Sequence, residues 1–123
     1  MHDPRRLWPG GGVAEKAHTA NLVDCAHAFK SLAFLQLGRH AEAAEAARAG
    51  LEMAQARGLK LGRALCTEAL GHVALAQGEA DTARRLLSEA IAELDAIEAR
   101  PFAAMARRRL PHDLKEALEI PAM

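Results

Sequence analysis

From residue 19 onward the apolar positions recur with the period of an α-helix. Leu22, Ala26, Phe29, Ala33 and Leu37 stand three or four apart and lead to Gly38, with Thr19 placed to cap the start. Ala43, Ala44, Ala47, Leu51 and Ala54 repeat the pattern before Gly58, and such small side chains predict that a neighbouring helix comes close. Leu61, Leu65, Ala69, Leu70 and Val73 line a third helix that ends at Gly78, a residue that takes the left-handed conformation at little steric cost. A fourth stripe, Ala83, Leu86, Leu87, Ala90, Ile91, Leu94 and Ile97, stops before Pro101. A shorter fifth segment, Phe102 to Leu110, ends at Pro111, and "HDLKEALEI" adds a final turn or two. The pattern predicts an all-α protein.

The chain also resembles itself. "FLQLGRHAEAAEAA" at 34–47 and "ALAQGEADTARRLL" at 74–87 have one shape, 40 residues apart. Each unit reads helix, glycine turn, helix, and cannot bury its stripes alone, so antiparallel helix hairpins are expected to stack as a short α-solenoid. Pro4, Pro9 and three consecutive glycines make residues 1–18 a flexible lead-in, with Trp8 as a side chain that docks on the body. Residues 19–110 form the repeat domain and 111–123 a short helical tail.

In these units the chain resembles the tetratricopeptide repeat. The second unit matches that pattern at Leu70, Gly71, Gly78, Ala83, Leu87 and Ala90 and departs at Thr67 and Ala74. The first matches at Ser31, Phe34, Gly38 and Ala43 and departs at His27, Lys30, Ala47 and Gly50. Met105, Ala106 and Leu110 match Leu65, Cys66 and Leu70 as a truncated third unit. A period longer than the usual 34 residues is similar to the long-helix variant of kinesin light chains and of the carboxy-terminal arrays of large bacterial ATP-dependent regulators.

Composition narrows the picture. Half of the 123 residues are hydrophobic but only 3% are aromatic, which suits helices and starves a sheet of the residues that pack on it. Sixteen basic residues balance sixteen acidic ones, so no summed positive field draws nucleic acid or an anionic membrane, and neither is an expected partner. Cys25 and Cys66 lack the spacing of a zinc site and read as reduced, small core residues of a cytosolic protein. The excess of alanine and arginine matches a GC-rich bacterial genome.

Chemistry is thin. "WPGGG" lacks the Lys-Ser/Thr of a phosphate loop, no serine sits in a nucleophile elbow, and the six histidines contain no His-Glu-x2-His pair. Glu68 and His72 are one helical turn apart and read as an ordinary helical pair. Arg107, Arg108 and Arg109 read as a solvated face at a helix carboxy terminus. The expectation is therefore no enzyme, no cofactor and no metal.

The resemblance implies a protein–protein interaction module that takes a peptide or helix in a concave groove. Its alternative is a carboxy-terminal sensor or oligomerisation segment of a bacterial transcriptional regulator or signalling ATPase. The family's groove-lining pattern falls on Cys25, Ala28, Leu32, Leu35 and Gln36, on Leu65, Glu68, His72 and Ala76, and on Met105 and Arg108. The same positions also read more plainly, with Leu32, Leu35 and Leu65 as core and Glu68 with His72 as a solvated pair. Two units and a fragment fall short of the roughly three that such stacks need. Self-association to a homodimer over Leu86, Ile91 and Leu94 is expected to supply the missing cover.

Overall fold

The fold comes from a computed structural model, which describes residues 25–118. Thr19, Leu22 and Trp8 lie outside the described residues, as does the whole of the lead-in. Within them every regular element is a helix: α1 over 25–36, α2 His40–Arg57, α3 Lys60–Ala76, α4 Ala80–Ala96, α5 Arg100–Arg109 and α6 His112–Ala117. No helix among the described residues is long and apolar enough to cross a membrane.

Four of the connections are the same turn. Gly38, Gly58, Gly78 and Glu98 each take a positive φ and follow one another at 20-residue steps. At each of the four, the next residue donates its N–H to a carbonyl five positions back: Arg39 to Phe34, Leu59 to Ala54, Glu79 to Ala74, and Ala99 to Leu94. This bond pattern satisfies carbonyls that a helix end leaves unpaired. None of helices α2 to α6 has a side-chain N-cap bond, so their ends are set by these turns and by packing. Pro101 stands in the first turn of α5, where a missing N–H costs nothing.

From α1 to α5 each helix packs on its successor, and size matching at the crossings explains how. A Cβ placed on Gly71 would lie 2.7 Å from Leu87 Cγ, so Leu87 of α4 sits directly on the glycine of α3. One period earlier the pair is Ser31 and Ala47, both fully buried, and Ser31 Oγ donates to the Ala43 carbonyl at 2.7 Å. The bulk lies on α4 in one unit and is shared with α1 in the other. Gly50 of α2 is tighter still, because its Cβ would meet His27 Cβ of α1 and Cys66 Sγ of α3, each at 2.6 Å. Two helices therefore converge on that glycine.

The main core gathers Cys25, Ala28, Leu65, Cys66, Leu87, Ile91, Leu94, Ala103, Ala106, Leu110 and Leu114 from α1, α3, α4, α5 and α6. A smaller one joins Ala43, Ala44 and Val73, with Phe34 and Leu35 against them. Two sequence expectations change here. The stripe expected to bury on α1 is exposed at Ala26, Phe29, Ala33 and Leu37, and Cys25, Ala28 and Ser31 are buried in its place. The helix carries two apolar stripes, and periodicity does not say which one the neighbours cover. On α4, Ile91 and Leu94 are buried in the main core of the chain itself and Leu86 is half-buried, so the expected exposure of that stripe, the ground for self-association there, is not found.

Candidate interaction surface

Glu68 is 1% exposed, among the largest fully buried side chains. Arg109, in the last turn of α5, donates from Nη1 to both of its carboxylate oxygens, at 2.8 Å and 3.0 Å. His72, one turn along α3, places Nε2 3.1 Å from Oε2; with a carboxylate as acceptor this nitrogen carries the proton. A buried carboxylate needs such partners, because leaving it unpaired costs several kcal/mol, on the order of 3–5. The reading of Glu68 and His72 as a solvated pair is thus corrected. Their helical spacing brings the two together, and the cation that pairs with the buried carboxylate comes from α5.

The three arginines of α5 are not one solvated face. Successive helical residues point about 100° apart, so the run fans out. Arg107 pairs with Asp95 of α4, Arg109 with Glu68 of α3, and Arg108 is exposed. Periodic transfer names Arg108, and the side chain that reaches Glu68 belongs to its neighbour. The exposed Arg107–Asp95 pair is worth ~1 kcal/mol or less.

The expected groove residues divide by depth. Cys25, Ala28, Leu65 and Glu68 are buried between helices. Leu32, Leu35 and His72 are half-buried, with Leu35 packed on the smaller core. Gln36, Ala76, Met105 and Arg108 are exposed, at the ends of α1 and α3 and along α5. None of these eleven positions lines either of two surface depressions, of about 200 Å³ and 320 Å³. The first lies at the α2–α3 turn beside Gly58 and Arg63. The second lies between α1 and α2, beside His27, Lys30 and Phe34. Those three side chains were singled out by the sequence only as departures from the repeat pattern or as a match within it.

Among the described residues, the large hydrophobic side chains that remain exposed, Phe29, Leu37 and Met105, sit on α1, on the turn that closes it, and on α5. Among the described residues no group of three or more His, Cys, Asp or Glu is placed to hold a metal ion. Cys25 and Cys66 are both buried. Compared with known proteins, the chain matches no family model, no curated protein and no solved structure.

Proposed function

We propose that the chain is a non-catalytic, cytosolic protein–protein interaction module, a short stack of tetratricopeptide-like helix hairpins that takes a peptide or a helix of a partner protein. The observation that carries this reading is the distribution of exposed apolar groups. Phe29, Leu37 and Met105 all belong to the odd-numbered helices or their ends. Gln36, Ala76 and Arg108, the expected groove residues that are open to solvent, lie on those helices as well. A partner lying along the odd-numbered helices would meet apolar anchors and a few polar handles, the pattern of a modest peptide-binding surface.

Peptides selected by display against the full chain test the reading. Their binding is expected to fall at least tenfold on Met105→Asp or Leu37→Asp, without a change in melting temperature, and to be indifferent to Arg84→Ala at an exposed position of α4. Selected peptides that ignore the first two substitutions and respond to the third would contradict it.

A further inference from the structure

Shifting α1 by the 40-residue period lays Ala26, Phe29, Lys30 and Ala33 on Cys66, Ala69, Leu70 and Val73 of α3. On α3 this face is closed. Cys66 and Ala69 are 0% exposed and Val73 3%. The helix that closes it is α2, since Cys66 Sγ abuts Gly50 and Val73 packs with Ala43 and Ala44. On α1 the same four positions are exposed. Beside them runs the open depression of about 320 Å³ between His27, Lys30 and Phe34 of α1 and Glu42 and Glu45 of α2. The counterparts of His27 and Phe34 on α3, Thr67 and Ala74, are buried.

We propose that this face of α1 is a docking seat for a helix of the α2 kind, supplied by a partner and running antiparallel to α1. The seat continues the α2–α3 seam by one period, and that seam shows what fits: a helix whose contact positions are Ala or Gly, as Ala43, Ala44 and Gly50 are. Small residues are needed all the more here, because Phe29 stands where α3 has Ala69 and projects further. Lys30 replaces Leu70 and lies over the Phe34 ring, Nζ 5.8 Å from its centroid. Arg39 flanks the same ring at 5.1 Å but is bound to Glu42 through two bonds of 2.7 Å. The incoming helix therefore carries a carboxylate set against Lys30. This inference rests on the interaction-module reading and adds to it where the partner sits and what its helix looks like.

The probe is a synthetic peptide of residues 39–58, titrated into the full chain by calorimetry. Saturable one-to-one binding is expected, weakened at least tenfold by Ala33→Glu or Lys30→Glu in the chain and by a leucine in place of the peptide's Gly50. Both chain positions are exposed, so thermal melts should confirm that the variants fold as the parent does. Absence of saturable binding overturns the seat, as does binding that survives both chain substitutions. Binding lost instead on Met105→Asp also overturns the seat while leaving the interaction-module reading standing. A chain that is a dimer on its own, and that Ala33→Glu makes monomeric, assigns the face to a second copy and overturns the partner helix.

Discussion

Arg109 reaches 41 positions back along the chain to bind both carboxylate oxygens of Glu68, fastening the end of α5 to the middle of α3. Glu68 is 1% exposed, whereas the Arg109 side chain keeps 26% of its surface, so the two partners are not equivalent. Loss of the carboxylate lets the guanidinium turn to water. Loss of the guanidinium leaves a buried charge with only His72 beside it.

Arg109→Met is therefore expected to cost about 3 kcal/mol in urea unfolding, and Glu68→Met roughly 1–2 kcal/mol less than that. The double variant should unfold close to the parent, because replacing both members of a buried pair by apolar groups of similar volume is often neutral. A double variant as unstable as the sum of the singles would show that the pair is not coupled.

Gly50→Ala tests the convergence of α1 and α3 on α2. At an open helical site this substitution gains about 1 kcal/mol from propensity. Here the added methyl meets His27 Cβ and Cys66 Sγ, each at 2.6 Å. The cysteine can yield, but the histidine Cβ moves only with its backbone, so overpacking of about 1–3 kcal/mol should prevail. Chemical denaturation of the variant decides the sign, and a gain in stability would mean that the helices do not meet there.

The fourth turn offers the opposite case. Glu98 holds φ 58° where the three earlier turns have glycine, a conformation that costs an L-residue about 1–2 kcal/mol. Glu98→Gly should raise stability by roughly 0.5 kcal/mol after the added freedom of the unfolded chain is subtracted. Gly78→Ala should lower it by about 1 kcal/mol through the backbone alone, since nothing lies within 4 Å of the new methyl. Thermal melts of the two variants should shift in opposite directions, and shifts of the same sign would contradict the shared turn geometry.

These residues also show what was legible in the sequence. Helix ends at Gly38, Gly58 and Gly78 were readable because glycine is the residue such turns favour. The turn at Glu98 carries no such mark, and Pro101, taken as the bound of α4, belongs to the first turn of α5. Helix class followed from periodicity, but the buried side of α1 did not, because Ala26, Phe29 and Ala33 are as regular as Cys25, Ala28 and Leu32. The Glu68–His72 pair was visible as a one-turn spacing. Its pairing with Arg109 was not, since no local pattern announces a contact across 41 positions.

On the reading proposed above, partners bind along the odd-numbered helices. This is tested most directly by amide chemical-shift mapping of the full chain with a display-selected peptide. Perturbations are expected to gather on residues 26–37 of α1 and its closing turn and around Met105 and Arg108 of α5, with Asp81, Arg84, Arg85 and Glu89 of α4 unmoved. Perturbations centred on those α4 residues, with α1 and α5 silent, would contradict it.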